Sequence, residues 1–387
     1  MYARQGVNKD YIKARNRGLV LQLICCSAEA ASRSVITEST GLSKMAVTNI
    51  VNELIEADYV IEGEHKETPH VGRNPILLNI SPRSPRIIGL HIARTQLSAI
   101  VADLCLRIEY EYTVPLANET AQTFKEKLLR AADAAAAHLN GHTLLGIGVS
   151  SLGPIDRTNG VLLNPTNFFT ITDFPISAAL EQRFGAAVIT DNDMNASALA
   201  ERLYGGGRSL RNFLYVGITN GIGAGIITDG ALYPDLKGLS GEIGHLCVEV
   251  DGTPCSCGNR GCLEAYANMP VILSRLSHAA GRAVSPCEFT KLYELPACRT
   301  VFDDVARYLT SALTGVSNLL NPECIFLGHD AVHFPNAFLQ TLRERLNNAI
   351  LARGYTQIAV ARSSFGADSA LKGSVSLVCD ALFRGKL

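Results

Sequence analysis

The stretch "NFLYVGITNGIGAGIITDGALY", Asn212 to Tyr233, reads as a strand, a glycine-rich turn and a second strand. Apolar and β-branched residues fill both arms, and the glycines fall between them. A passage of the same kind stands upstream, "IIGLHIARTQLSAIVADL" from Ile87 to Leu104, with its turn near Arg94 to Gln96 and further strand material ending near Val114. Each hairpin leads into helices and more strand. After the first come an alanine-rich helix over Thr123–Leu139, the buried strand and glycine loop of "LLGIGVSSLGPID", and the strand, carboxylate-rich turn and helix of "AAVITDNDMNASALAERLYG". After the second come helices over Leu263–Ala280, Phe302–Asn318 and Phe338–Ala352, with a strand at "CIFLGH". Two α/β units that each open on a glycine-turn hairpin predict a duplicated, bilobal α/β architecture with a cleft between the lobes.

The chain has 387 residues, 47% of them hydrophobic, enough for large cores and two or three domains. A formal net charge of -1 excludes a globally basic nucleic-acid binder, so any DNA contact must be locally organised. Eleven cysteines is an odd number, and no basic stretch followed by an apolar core opens the chain. The expectation is a cytoplasmic protein with reduced thiols. The apolar run from Leu19 to Cys26 is broken by Gln22 and falls short of the roughly 20 residues of a membrane span, so no membrane insertion is expected.

Ahead of the first hairpin, "VITESTGLSKMAVTNIVNELIE" over Val35–Glu56 holds two helical patterns joined at Gly41, with Ser43 placed as N-cap of the second. In that second helix Val47, Ile50, Val51, Leu54 and Ile55 follow the spacing of a buried face. The opposite face carries Lys44, Thr48, Asn49 and Asn52, side chains suited to base edges and phosphates in a major groove. A preceding helix, roughly Lys9 to Cys26, pairs Leu19 with Leu23 and Val20 with Ile24 and supplies a third core helix. Its basic start, Arg4, Lys9, Lys13, Arg15 and Arg17 against Asp10, leaves a local excess of +4. "YVIEGE" and "GRNPILLNI" follow as two short strands, a wing whose Arg73 would enter a minor groove. Hydrophobic spacing of this kind also marks an ordinary helical bundle. The order of three helices, glycine turn, capped polar-faced helix and wing favours a winged helix-turn-helix that binds DNA, with Ser43 among its contacts. "SPRSPR", residues 81–86, reads as the linker behind it.

Cys255, Cys257 and Cys262 crowd the loop "GTPCSCGNRGCLEAYA", and His245 precedes them in "GEIGHLCV". Three thiolates and an imidazole complete a tetrahedral set for Zn²⁺, and four protein ligands close the ion to water, so the expected role is structural. Gly258 and Gly261 let the loop turn back on itself. The alternative is three surface thiols with unrelated roles.

The motifs "SLGPID", "DNDMNASALAE", "GIGAGII", "GEIGH" and "CSCGNRGCLE" occur in one order over nearly the whole chain. In that order the sequence resembles the ROK family of repressors, open reading frames and sugar kinases, and more closely its transcriptional-regulator branch, the N-acetylglucosamine and xylose repressors. The resemblance implies an actin-like, ribonuclease H-like pair of lobes. Residues 1–80 would be the winged helix, 81–86 the linker, 87–204 the first lobe with a C-terminal helix over 368–387 returning to it, and 205–367 the second lobe with the zinc motif. It further implies that Gly153, Asn167, Asn192, Asp193, Glu242, His245 and Glu264 bind a sugar, since carboxylates and amides match vicinal hydroxyls. Kinase members use the aspartate at the position of Asp193 as general base.

Those members carry Asp-x-Gly-Gly-Thr in the first hairpin turn, where this chain has His91, Ile92, Ala93, Arg94 and Thr95. Loss of the acid and of both glycines should each cost several kcal/mol of transition-state stabilisation. The chain is therefore expected to be no enzyme, with Asp193 catalytic only if it were a sugar kinase. The glycines of "TNGIGAG" are retained, but such a run is also just a tight turn. The leading expectation is a sugar-responsive repressor of carbohydrate-metabolism genes, a homodimer or homotetramer that binds double-stranded operator DNA and a sugar or sugar phosphate. Its rivals are an ATP-dependent cytoplasmic sugar kinase with an N-terminal appendage and a regulator whose signal is a phosphotransferase-system protein.

Overall fold

The computed structural model describes residues 8–27, 30–65, 75–165, 168–233 and 238–387. In chain order the elements are α1 (Lys9–Cys26), α2 (Arg33–Thr40), α3 (Lys44–Glu56), β1 (Val60–His65), β2 (Ile76–Ile80), β3 (Arg86–Ile92), β4 (Gln96–Ala102), β5 (Ile108–Pro115), α4 (Ala121–Ala136), β6 (Leu144–Ser151), β7 (Ile155–Asp156), β8 (Val161–Leu162), β9 (Phe174–Pro175), α5 (Ile176–Phe184), β10 (Val188–Asn192) and α6 (Asp193–Tyr204). There follow β11 (Phe213–Ile218), β12 (Ile222–Thr228), β13 (Ala231–Leu232), α7 (Glu264–Ala267), α8 (Met269–Ala280), α9 (Phe289–Leu292), α10 (Pro296–Leu320), β14 (Cys324–His329), α11 (Asn336–Ala349), β15 (Ala359–Arg362) and α12 (Ser369–Phe383). The chain divides into two compact units, one of residues 1–149, 176–190 and 374–387, the other of 150–175 and 191–373.

The first unit opens with three helices and the antiparallel pair β1–β2. Ser32 and Ser43 cap α2 and α3, their hydroxyls accepting the amides of Val35 (3.3 Å) and Ala46 (3.2 Å). Gly41 ends α2 at φ 69°, a left-handed position where any Cβ would be strained. Val47, Ile50, Val51 and Leu54 of α3 are buried as their spacing predicts, while Ile55 is only half-buried. The predicted role of Leu19 in the α1 core is corrected: Leu19 is 36% exposed, and Gly18, Val20 and Leu21 make the buried stripe. The reason is at Gly18, where an added Cβ would collide with the carbonyl of Phe383. The end of α12 thus lies directly on α1, and that close approach sets which face of α1 is covered.

The first sheet has the strand order β10-β6-β3-β4-β5, and the second β13-β12-β11-β14-β15. Counted from the first strand of each sheet, the order is the same: the opening strand lies in the middle, two meander strands to one side and two later strands to the other. This shared topology is the duplication the two hairpins predict. β3 pairs antiparallel with β4 at Ile92 and Leu97, and β11 pairs antiparallel with β12 at Ile218 and Ile222. Alternate residues of β11 serve opposite faces: Leu214, Val216 and Ile218 join the core under α8, α10 and α11, and Phe213 and Tyr215 pack with Met194 and Ala198 of α6. A strand covered on both faces has no polar alternation, which is why it reads as a continuous apolar run.

The glycines of the second hairpin have a packing role. A Cβ on Gly217 would overlap the Met194 thioether, and one on Gly225 the Met194 carbonyl, while neither glycine has positive φ. α6 therefore rests directly on β11 and β12 through these positions.

Beside α4, Glu119 is 5% exposed and paired with Lys127; its carboxylate also accepts the Ala117 amide (2.9 Å) and the Thr123 hydroxyl (2.8 Å). Burial pushes its pKa up, but the bonds from Lys127, Ala117 and Thr123 outweigh burial and hold it below the usual carboxylate range. A depressed carboxylate adds stability above its unfolded pKa and loses it as pH falls through the folded value. Glu119→Gln should thus cost about 1–2 kcal/mol at neutral pH. In parallel thermal melts the difference from wild type should close as the pH is lowered below the ordinary glutamate value.

Candidate functional site

Residues 242–263, just ahead of α7, fold as a loop closed by its own backbone. Ile243–His245 form a 3₁₀ turn; Cys247 bridges Cys262, and Pro254 bridges Arg260, each antiparallel. The amides of Val248 and Leu263 donate to the carbonyls of Gly261 (2.8 Å) and Leu246 (2.9 Å). Gly258 (φ 92°) and Gly261 (φ 71°) take the left-handed conformations that let Cys255 and Cys257 face back toward Cys262.

The ligand atoms of His245, Cys255, Cys257 and Cys262 lie within 4.8 Å of one another. Cys255 Sγ is 3.7 Å from His245 Nδ1, and the sulfurs of Cys257 and Cys262 are 3.7 Å apart. Sulfurs bound tetrahedrally at about 2.3 Å stand about 3.8 Å apart, so this donor set fits a zinc-sized ion. The thiols are electrostatically unlike. A bond from the Asn259 amide is the main cause that holds Cys257 down to about 7, whereas burial drives Cys262 up to about 12 and raises Cys255. Bringing all the sulfurs to thiolate needs a cation among them.

Glu264 stands at the rim of this cluster. Its Oε1 is 3.2 Å from Cys255 Sγ and 3.7 Å from His245 Nδ1, and a Cβ on Gly221 would lie 3.3 Å from its Oε2. The cluster, the glycine turn of the second hairpin and this carboxylate are therefore neighbours. Nδ1 is the His245 ring nitrogen that lies near both Cys255 and Glu264. Glu242 caps the 3₁₀ turn through its carbonyl, which accepts the His245 amide at 3.1 Å.

A second group forms where β10 meets α6. Asn192 caps the helix, its Oδ1 accepting the Met194 amide at 2.9 Å; Asp193 is the first helical residue and its Oδ1 accepts the same amide at 2.9 Å. A Cβ on Gly153 would lie 2.9 Å from Asn192 Nδ2, so Gly153 and Asn192 are in contact. Gly153 precedes a cis peptide bond to Pro154. Asn167 lies outside the described residues. Of the candidate sugar residues, Gly153, Asn192, Asp193, Glu242, His245 and Glu264 all belong to the second unit.

Two residues of this region carry no sequence signal. Asp191 is 1% exposed, pairs with Arg157 at 3.0 Å and accepts the Asn195 amide nitrogen at 2.9 Å, which anchors the strand end that presents Asn192 and Asp193. Glu201, fully buried, accepts the Ser363 hydroxyl (2.7 Å), the Ser364 amide and hydroxyl (2.5 and 2.8 Å) and the Gly206 amide (3.0 Å). Their partners stand far away along the chain or on a loop of ordinary composition, so "DND" and "AER" do not reveal which acid turns inward.

On α3, Ser43, Lys44, Asn49 and Asn52 are exposed and Thr48 is half-buried, its hydroxyl donating to the Lys44 carbonyl at 2.8 Å. Arg33 bridges Asn52 Oδ1 (3.2 Å) and Glu62 of β1 (2.7 Å), which neutralises that acid. Arg73 lies outside the described residues. Among the described residues no helix is long and apolar enough to cross a membrane.

The duplicated sheets, the helix-capping Asn-Asp pair and the Cys-His loop define an α/β protein of two like sheets. The chain belongs to the ROK family, whose model matches residues 87–381. It is 27% identical over 378 residues to the xylose repressor of Bacillus spizizenii, which covers 96% of this chain and 97% of that protein. Among solved structures it is similar to a ROK family transcriptional regulator, a homolog of the Escherichia coli MLC protein, with TM-score 0.81 and 23% identity over 97% of this chain and 98% of that one. It is also similar to the ROK hexokinase of Thermus thermophilus, with TM-score 0.65 and 29% identity over 76% of this chain and 97% of that one.

Proposed function

We propose that this protein is a sugar-responsive transcriptional repressor of carbohydrate-metabolism genes. One observation carries the reading. The family model begins at residue 87, and the hexokinase matches only 76% of the chain, yet the similarity to the xylose repressor runs over 96% of it and so takes in most of the three helices and hairpin ahead of residue 87. In this reading residues 1–80 are a winged helix-turn-helix that holds operator DNA through Ser43, Lys44, Thr48, Asn49, Asn52 and Arg73, followed by a linker over 81–86. The first lobe is 87–204 with the helix of 368–387, and the second is 205–367. The protein works as a homodimer or homotetramer on a pseudo-palindromic site.

Gly153, Asn167, Asn192, Asp193, Glu242, His245 and Glu264 hydrogen-bond the hydroxyls of a sugar or sugar phosphate. His245, Cys255, Cys257 and Cys262 hold a structural Zn²⁺, whose charge keeps the thiolates ionised. The protein's own part is to fix the loop that carries His245 and ends at Glu264. A ligand that binds one conformation about 100-fold tighter than the other shifts the population by about 2.7 kcal/mol, enough to report occupancy to the helices. With His91 at the end of β3 and Ala93 and Arg94 in the turn that follows it, no phosphoryl transfer is assigned, and Asp193 acts as a hydroxyl acceptor.

A nuclease footprint of the full chain on DNA flanking its own coding sequence tests this. Two protected half-sites about one helical turn or its multiple apart are expected, and no protection at low salt would contradict it. Robust ATP consumption with a hexose that vanishes in Asp193→Asn would move the reading to the kinase side. Within the proposed helix face, Asn49→Ala should relax base preference at one position by about 1–3 kcal/mol, whereas Lys44→Ala should weaken all sequences alike and reduce the salt slope by about 1.

A further inference from the structure

The zinc cluster leaves a second thiol group unexplained, at the far end of α1 in the first unit. Cys25 stands in the last turn of α1, and its thiol is hydrogen-bonded to that of Cys105. Cys26 and Cys379, the latter on α12, lie close enough to act on Cys25 electrostatically. All four are free cysteines.

Cys105 occupies the turn between β4 and β5, and that turn is firmly built. Asp103 Oδ1 accepts the amides of Cys105 and Arg107, both at 2.9 Å, and the backbone of Asp103 closes the turn with Leu106 and Arg107, each at 3.1 Å. Leu106 is held at φ 64°, a left-handed conformation costly for leucine, which fixes the path of the chain beside Cys105. A half-buried thiol on a fixed turn thus meets a second thiol on a different element.

We propose that Cys25 and Cys105 are a hydroperoxide-oxidisable dithiol whose disulfide fastens the end of α1 to the β4–β5 turn. The Cys105 thiolate attacks one oxygen of the hydroperoxide, the O–O bond breaks, and Cys105 becomes a sulfenic acid as the other oxygen leaves, protonated, as water or an alcohol. Cys25 then gives up its proton, its sulfur attacks the Cys105 sulfur, and hydroxide departs with that proton as water. Two thiols have lost two electrons and two protons, and one peroxide has been reduced. The environment assigns the order of attack. The hydrogen bond from Cys25 is the main cause that draws the Cys105 thiol below its ordinary pKa, against burial and Asp103, and burial drives Cys25 well above its own. Cys105, on the β4–β5 turn, is therefore the nucleophile, and Cys25, in the last turn of α1, resolves it. The cross-link does not depend on the DNA-binding reading.

Peptide mapping of the full chain tests the site. Protein exposed to a small excess of hydrogen peroxide, then alkylated and digested, should yield a peptide pair joined through Cys25 and Cys105, lighter by two hydrogens and released by dithiothreitol. Cys105→Ser and Cys25→Ser should each abolish the pair, while Cys26→Ser and Cys379→Ser should retain it; wild-type-like melting of the reduced variants would show them folded. A bridge that survives Cys25→Ser, a Cys26–Cys379 bridge, or Cys105 over-oxidised while Cys25 stays alkylatable would overturn the proposal. Oxidation confined to the peptide holding Cys255, Cys257 and Cys262 would overturn it too.

Discussion

Protein purified without chelator should carry one zinc ion per chain, and Cys262→Ser should carry none. Cys262 is 1% exposed and sits at the closing bridge with Cys247, so a serine there removes a ligand without offering water a way to replace it. The four donors come from one stretch of chain, and ligation of this kind contributes on the order of 10 kcal/mol in small zinc domains. Even a fraction of that, set against a shift of about 2–4 °C per kcal/mol, should lower the melting temperature on the order of 10 °C. Glu264 follows the last ligand by two residues and touches Cys255, so the effector response should fall with the metal. Element-specific emission on dialysed protein reads the stoichiometry. A metal-free wild type, or a Cys262→Ser chain that keeps its metal, would contradict the assignment.

Glu264→Ala is expected to separate effector response from DNA affinity. The carboxylate lies beside the glycine turn at Gly221 and the imidazole of His245, away from the exposed face of α3 in sequence and in a different unit of the chain. In the proposed role this carboxylate accepts sugar hydroxyls, so its loss would leave the bound ligand with unpaired polar groups, worth about 2–4 kcal/mol, or about 30- to 1,000-fold in effector affinity. Operator affinity without ligand should stay within about threefold of wild type, since sites with no shared partners are additive to about 0.5 kcal/mol. Isothermal titration with candidate sugars, paired with an operator titration, measures both. An Ala variant that responds to sugar as wild type does would remove Glu264 from the site.

The parts of the fold legible in the sequence are those whose signals are local. α1 begins and ends where its pattern does, α3 starts at its serine cap, and "CIFLGH" is β14 in full. The expected single helix over Leu263–Ala280 is in fact α7 and α8, because Asn268 caps α8 by accepting the Val271 amide at 2.9 Å with Pro270 just inside. That capping signal was present but hidden under a continuous apolar period. α10 extends to Pro296–Leu320 beyond its expected Phe302–Asn318, since proline at its start is tolerated where no amide partner is needed. α5, β15 and the small sheet β7-β8-β9 were not legible, being short and stabilised by what packs on them.

The candidate site shows the same division. The metal donors stand close together in sequence and the geometry joins them. Asp191 and Glu201 depend on Arg157, Ser363 and Ser364, partners that only the folded chain brings near. Helical period alone does not distinguish Leu19 from Val20, because it does not say that a second helix, α12, crowds the Gly18 face.

The central claim, that occupancy of a sugar site is reported to DNA and not consumed chemically, meets its most direct test in fluorescence anisotropy of a labelled operator fragment titrated with the full chain. At fixed salt, the cognate sugar should weaken binding at least tenfold with no nucleotide present and without being altered. Operator affinity that no sugar or sugar phosphate shifts, or a shift that appears only as ATP is turned over, would contradict it.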